Sequence, residues 1–420
     1  MQQMEHEIRF NKYLPAVLLY FFFNGFLLPL GLLYTTLLTP LFLLWLFKFP
    51  SFRYLFLFFL FFLPFLVIQL LNGVETQSYI KSTALLFSVF VFSLACYQFL
   101  KNCQNLRKIY STLLLINAAM VVLGLIALAT PWRNIIWYAN EITPGVHTLR
   151  LRLLTYEPSY YATLLMPLAI YYYLKLIILK LPDPRTTLLL ITIPFLLAFS
   201  FGGILGLVLA LGVTLLYGYR RFFNKTASLY VILGGVVLIT GLLGALIIFP
   251  NSVIAVRFSH IFNGQDSSFR GRTYESFYLG WKIAAEKSAW FGCGPGQAKE
   301  VGLDVFRKLY NYPPATKEMV VIPNALGDTL ATFGIVGATL RIALEIVFFF
   351  RSRVSSNYYR LALFLFIFIY QFTGSFISNI AEYVIWIMAF QQGLFPEFDK
   401  TNFPIRRPYF RSFVIRPKPI

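Results

Sequence analysis

Tyr54-Leu-Phe-Leu-Phe-Phe-Leu-Phe-Phe-Leu-Pro64-Phe-Leu-Val-Ile-Gln69-Leu-Leu71 decides the fold class: no charged residue falls between Arg53 and Glu75. About 20 mostly apolar residues cross the hydrocarbon core of a bilayer as a helix, and a run this apolar has no comfortable place on a soluble surface. The same template, carried outward in both directions, predicts spans at 13–32, 35–48, 54–71, 80–100, 110–130, 158–180, 186–200, 202–219, 229–249, 325–350, 360–376 and 379–394. Composition agrees, with 58% hydrophobic and only 13% charged residues. A soluble domain has about 25% charged residues. The 46 Phe and 26 Tyr suit lipid-facing helices with aromatic interfacial belts. The expected fold is therefore an all-α polytopic membrane protein of about 12 helices (10–14). It is one domain over residues 1–420, since no repeat or low-complexity linker divides it.

The net charge of +19 would suggest nucleic acid in a soluble protein. Here the basic residues sit in short connections between apolar runs, where they set orientation and meet lipid headgroups, so no nucleic-acid partner is expected. With the N-terminus cytoplasmic, one face receives Lys48 and Arg53; Lys101, Arg107 and Lys108; Lys180 and Arg185; Arg220, Arg221 and Lys225; and Arg351, Arg353 and Arg360. The basic tail, 395–420, joins them, while the short connection 72–79 opposite has Lys or Arg nowhere before Lys81. Met1 to Lys12 is polar and leads into a long apolar run without an Ala-x-Ala-like cleavage site, which predicts an uncleaved first helix. Cys96, Cys103 and Cys293 fall on different faces, so no external disulfide is expected. No clustered His/Cys/Asp set suggests a metal site.

Two connections, 131–157 and the large extracytoplasmic loop 250–322, are long, and long loops translocate largely regardless of charge. Their basic residues need a structural or functional explanation. The first carries Arg150-Leu-Arg152-Leu-Leu-Thr-Tyr-Glu157-Pro158-Ser-Tyr160-Tyr161. Pro158 suits a first helical turn, and Glu157 just before it is favoured by the helix dipole. Two readings stand: a helix cap with Tyr160 and Tyr161 as interfacial anchors, or a site for an anionic, sugar-bearing lipid.

The second carries Arg257, His260, Asp266, Arg270-Gly-Arg272, Trp281 and Phe291-Gly292-Cys-Gly294-Pro-Gly296. Its arginines can offer planar, bidentate donors to phosphate oxygens. The segment 274–289 places Phe277, Trp281 and Ala284/Ala285 as the apolar side of an amphipathic helix lying on the bilayer. The glycines resemble a phosphate loop only loosely, lacking a following Lys-Ser/Thr, and a turn back to the membrane is the competing role. His260 is either an exposed structural residue or a proton-transfer group. Within the spans, Arg341 and Glu345 sit one turn apart and should pair. Glu382 has no partner evident in sequence, which makes it a functional candidate.

At these motifs the chain resembles the O-antigen ligase and polymerase superfamily of bacterial surface-polysaccharide enzymes. Glu157-Pro-Ser-Tyr-Tyr-Ala after Arg-x-Arg resembles the start of a middle helix in many of its polymerases. Arg270-Gly-Arg272 through Trp281 to the glycine-rich turn resembles the family's Arg-anchored loop helix. Pro323-Asn324, leading to Gly334-Ile-Val-Gly337, lies where the family re-enters the membrane. The likeness covers about 150–345. Two departures count: the His-Asn pair typical of ligases reads Pro323-Asn324 here, and Ser200 is followed by Phe201 where an Arg is frequent.

The resemblance implies glycosyl transfer between two polyprenyl-diphosphate-linked oligosaccharides at the outer face of the bacterial inner membrane, without metal, cofactor or nucleotide sugar. Arg152, Arg270 and Arg272, with Arg257 and Arg150, would hold the diphosphate as its charge grows. Glu157, or else His260, would take the acceptor's proton. Tyr160, Tyr161, Trp281 and Asn324 would line the substrate site. Membrane lipids and a chain-length regulator are the further partners implied. The competing readings are a ligase of the same superfamily and, in a different class, a lipid-oligosaccharide flippase or ion-coupled transporter.

Overall fold

The computed structural model describes residues 34–103, 105–143, 146–179, 181–222, 248, 253–311 and 321–404. The predicted spans 13–32 and 229–249 lie outside the described residues apart from position 248, as does the tail beyond 404. The described chain is mostly helical. A short α1 (Thr39–Leu46) is followed by α2 (Leu55–Leu71), α3 (Thr76–Asn102) and α4 (Leu106–Ala127). After a hairpin of β1 (Trp137–Thr143) and β2 (Val146–Leu151) come α5 (Pro158–Ile178), α6 (Pro184–Ala198) and α7 (Phe201–Phe222). The long loop contains α8 (Val253–Phe262), α9 (Ser267–Arg272), α10 (Tyr274–Ala285) and α11 (Ala298–Tyr310). The chain then forms α12 (Ala325–Arg351), α13 (Tyr358–Tyr370) and α14 (Ile380–Phe390).

Among the described residues, 6 helices are long and apolar enough to cross a membrane: Pro50–Leu71, Thr76–Asn102, Leu106–Ala127, Pro158–Ile178, Phe201–Tyr219 and Ala325–Arg351. Helices α6, α13 and α14 are apolar but shorter. Two expectations need correction. The run 35–48 yields only the 8-residue α1 and a preceding single turn at Tyr34–Leu37. The chain is also not wholly helical, because the connection 131–157 forms an antiparallel hairpin that pairs Trp137 with Leu151 and Tyr138 with Arg150. Short stretches rich in β-branched and aromatic residues on either side of Pro144-Gly145 carry that pattern in sequence.

The core is centred on α5, most of whose side chains are buried, packed by α4, α6, α7, α13 and α14. Several polar groups inside this apolar bundle pair with one another, although the buried Tyr358 hydroxyl has no hydrogen-bond partner among the described residues. The Tyr110 and Tyr359 hydroxyls lie 2.7 Å apart, and the Tyr161 hydroxyl donates to Asn117 Oδ1 at 2.7 Å.

Helix α3 joins two sets of connections. Beside its start, Glu75 and Gln297 exchange hydrogen bonds of 2.8 and 3.0 Å, tying 72–75 to the long loop. Beyond its other end, Arg107 pairs with Glu397 at 2.7 Å, and Arg221 donates to the carbonyls of Lys400 and Phe403. Buried Arg360 caps the carbonyls of Ala389 and Phe390 at the end of α14 and that of Ser352. The connections that carry Arg107, Arg221 and Arg360 thus meet the segment 389–403.

The long loop is anchored by a backbone exchange. Helix α12 breaks at Gly334 (φ 66°, ψ −166°), a conformation reserved for glycine. The break exposes carbonyls of Ala331 and Thr332, which accept from the N–H groups of Cys293 and Gly294 at 2.9 and 3.0 Å. Ile335 and Val336 in turn donate to Ala289 and Trp290 at 3.0 and 3.1 Å. Gln69 Nε2 bridges the carbonyls of Phe291 and Thr332, and its own oxygen accepts from the Tyr79 hydroxyl at 2.9 Å. A Cβ on Gly292 (φ +74°) would collide with the Thr332 carbonyl, and one on Gly334 with that of Trp290.

Gly292→Ala should therefore destabilise the detergent-solubilised protein by more than about 2 kcal/mol, through both a left-handed backbone and a collision. Gly73→Ala, at φ +76° with nothing within 4 Å, should cost only about 1 kcal/mol. Equal losses in a fluorescence-detected thermal melt would dismiss the backbone dock.

Candidate functional site

Arg272 and Glu157 meet although they are distant in sequence. Glu157 is the extended residue immediately before Pro158, at the mouth of α5, and Arg272 closes α9. Arg272 Nη2 lies 3.6 Å from Glu157 Oε1, with about a third of each side chain exposed (33% and 35%). That separation exceeds a closed charge-assisted hydrogen bond of about 2.7–2.9 Å, so the two ions are adjacent but not locked together. Glu157 also accepts a very close hydrogen bond from the Ser159 hydroxyl.

Phenols line the inner side of the pair. Tyr156 packs against Tyr160 with ring centres 4.8 Å apart, and Phe376 lies 6.2 Å away. Burial pushes the Tyr156 phenol well above its ordinary value, with the charges of Tyr160, Glu157 and Tyr370 adding to the rise and Arg272 opposing it. Tyr156 therefore stays protonated and can act as a donor beside the carboxylate. The buried Tyr370 accepts from Thr163 at 3.4 Å. Sequence reasoning singled out neither Tyr156 nor Tyr370. Tyr156 was visible beside Glu157, but Tyr370 reaches this end only through the packing of α13 on α5.

Arg272 is held from behind by Asn324. The Asn324 Nδ2 donates to the Arg272 carbonyl at 2.8 Å and to the Phe372 carbonyl, while its Oδ1 caps α12 by accepting from Gly327 N–H at 2.8 Å. Fully buried and committed to these bonds, Asn324 positions Arg272 and is not placed to line a substrate site. Arg270 is half exposed and pairs with Glu275 at 2.9 Å, and Glu275 accepts from Tyr310 at 2.7 Å.

The remaining candidates go elsewhere. Arg152 donates to the carbonyls of Asn134, Ile135 and Tyr156 at 2.9, 3.1 and 3.3 Å, and its guanidinium lies over Tyr138. It fastens the hairpin, which spends the donors expected to meet diphosphate. Arg150 donates to the Ala198 carbonyl at 3.0 Å. Tyr161 is turned into the core towards Asn117. His260 lies in the last turn of α8, where its carbonyl accepts from Gln265 and Asp266. Arg257 belongs to the same helix, with its side chain outside the described residues. Trp281 is 41% exposed on α10.

Helix α10 buries Ser276, Leu279, Gly280, Ile283 and Ala284, packs against α12 and leaves Trp281 exposed on its outer side. The N–H groups of Gly292, Cys293 and Gly294 are consumed by Ser288, Ala331 and Thr332, which leaves the glycine turn structural and rules out a phosphate cradle there. Burial pushes the Cys293 thiol up to about 12, far from a working nucleophile. Among the described residues, no group of three or more His, Cys, Asp or Glu could hold a metal ion.

Deeper in the bundle, Arg341 meets Glu345 (3.2 Å), Glu382, Gln371 (2.9 Å) and Thr329 (3.1 Å). The expected Arg341–Glu345 pair is present, and Glu382 has the same arginine as partner. Gln371 and Ser375 complete the two carboxylates at 2.6 Å each.

Arg152→Ala should lower thermal stability by about 1–3 kcal/mol, because the carbonyls it serves lose their donor. Arg272→Ala, at a loose and partly exposed pair, should leave the melting temperature nearly unchanged. A reversed order in a thermal melt would show that Arg152 is the free arginine. No protein-family model and no curated protein matches this chain.

Proposed function

We propose that the chain polymerises polyprenyl-diphosphate-linked oligosaccharide repeat units, of the O-antigen, common-antigen or exopolysaccharide kind. In this reading it crosses the bacterial cytoplasmic membrane about a dozen times. Both termini are cytoplasmic, and the site faces the periplasm or cell exterior. The observation that carries the reading is the loose Arg272–Glu157 pair at the mouth of α5. An arginine beside a carboxylate, both reachable and neither locked, supplies the two functions glycosyl transfer from a diphosphate needs.

In the reaction, the bond between the donor's anomeric carbon and the diphosphate oxygen breaks, and the electron pair leaves with the polyprenyl diphosphate. Arg272, with Arg270 two residues earlier, stabilises that growing charge. The acceptor hydroxyl attacks the anomeric carbon, and Glu157 takes its proton. The donor chain is thereby moved onto a fresh repeat unit, with no metal or nucleotide sugar taking part. A chain-length regulator is the protein partner that fits such a reaction. Ligation to a different lipid is less well supported, since Pro323 stands where ligases of the resembled superfamily carry histidine and Asn324 is fully used in holding Arg272.

A second reading, an ion-coupled transporter, is favoured by one observation: the buried Arg341–Glu345–Glu382 cluster. Ionisable groups inside a span often mark a pathway. A gel of surface polysaccharide separates the two. In a deletion strain at matched expression, Arg272→Ala or Arg270→Ala should abolish long chains while single repeat units still reach the surface. Full-length polymer from both variants would remove the diphosphate-clamp reading. Loss of all surface saccharide on changing Glu382→Gln, with the external arginines dispensable, would favour transport.

A further inference from the structure

Ser159 is the second residue of α5, and its hydroxyl donates to Glu157 Oε1. The same oxygen lies 3.6 Å from Arg272 Nη2. Two donors therefore face Oε1, whereas Oε2 has no hydrogen bond or ion pair among the described residues. The backbone beneath is fixed as well. The Glu157 carbonyl accepts from the Thr155 hydroxyl at 3.0 Å and from Tyr161 N–H at 3.1 Å.

Helix capping does not account for this arrangement. A carboxylate at the residue before a helix ordinarily turns back and accepts from the N–H groups of the first turn. Glu75 does so at the start of α3, Asp183 at α6 and Asp266 at α9. Glu157 occupies the same position at α5, yet its side chain makes no such bond. Its carboxylate is turned to Ser159 and Arg272 instead, and stays partly exposed. A hydroxyl that donates to a carboxylate favours the charged form and fixes its orientation. With Oε1 engaged, the atom left to receive a proton is Oε2.

We propose that Ser159 is a positioning residue, whose hydroxyl keeps the Glu157 carboxylate off the helix end with Oε1 towards Arg272 and Oε2 presented to the acceptor hydroxyl. The proposal rests on the polymerase reading and adds to it the atom that takes the proton and the group that aims it. In that reaction the acceptor's proton passes to Oε2 and its oxygen's electron pair forms the bond to the anomeric carbon. The diphosphate departs with the electron pair of the broken bond. Around the carboxylate stand Arg272 of α9, Tyr156 beside it in the chain and Tyr370 of α13, and the Ser159 variants alter none of them.

The test uses the full chain in lipid nanodiscs with the polyprenyl-diphosphate repeat unit purified from the source cells, following polymer by gel at several pH values. Ser159→Ala should lower kcat about tenfold, leave KM nearly unchanged and move the acidic limb of kcat to higher pH. Ser159→Thr, which keeps the hydroxyl, should recover the rate and the profile. In a Glu157→Gln background, Ser159→Ala should cost nothing further, since the two act as one unit. Carbodiimide, which attacks a protonated carboxyl, gives a measurement free of polymerisation. Glu157, followed by mass spectrometry of its peptide, should label several-fold faster in Ser159→Ala than in wild type.

An active wild type with an unmoved kcat and pH profile in Ser159→Ala would overturn the proposal. So would a loss that Ser159→Thr does not recover, or one that adds in full to that of Glu157→Gln. If wild type makes no polymer and the labelling of Glu157 still depends on the Ser159 hydroxyl, the polymerase reading fails and the hold of Ser159 on Glu157 stands. If neither is seen, both fail.

Discussion

The exchange of backbone hydrogen bonds between the broken helix α12 and the turn at Gly292–Gly294 is the constraint on which the placing of the long loop depends. A helix interrupted within an apolar bundle leaves donors and acceptors that water cannot satisfy, and each would cost several kcal/mol in hydrocarbon. Ala331 and Thr332 find their donors, and Ile335 and Val336 their acceptors, in one loop segment. The break and the turn therefore exist only together. Gln69 and Tyr79 add a side-chain link from α2 and α3, so the loop is tied to helices far away in sequence.

Once that turn is docked, the position of α10 follows. Leu279, Ile283, Cys293, Ile322 and Ala331 make a small separate core, and α10 lies against the first part of α12. Asn324 then holds the Arg272 carbonyl and the Phe372 carbonyl at the same helix start. The α13–α14 turn is held from both directions: Leu326 N–H donates to the Gln371 carbonyl, Ala325 N–H to that of Gly374, and Asp328 accepts from Ile377 N–H. Beneath it, Arg341 gathers Glu345, Gln371 and Glu382. This polar layer is consistent with a structural role, since each member has partners and a lone buried charge would be far more costly than a paired one. The same layer is what keeps transport a testable alternative.

The site is economical in its use of charge. Of the four candidate arginines whose side chains are described, Arg150 and Arg152 are spent on carbonyls and Arg270 shares Glu275, which leaves Arg272 with the loosest engagement, at Glu157. An arginine bound to several carbonyls has its planar fork filled and fixes a fold. One beside a single, partly exposed carboxylate keeps donors for a second anion. That contrast separates a structural arginine from a candidate functional one more sharply than proximity alone.

By itself the sequence determined that the chain is mostly helical, with helices long and apolar enough to cross a membrane, and the order of most of them. These follow from local runs such as 54–71, and they need no knowledge of packing. It also drew attention to Glu157 and Arg272 through motifs on two polar connections. Only the tertiary structure decided that these two meet while Arg152 turns into the hairpin and Asn324 into a tether. Which donors are consumed depends on carbonyls supplied by distant segments, and neither hydropathy nor spacing records them. The same holds for Glu382, whose partner Arg341 lies on another helix. It holds for the glycine turn too: Gly292 looks the same in sequence whether it cradles an anion or closes on a broken helix, and Gly334 decides between them.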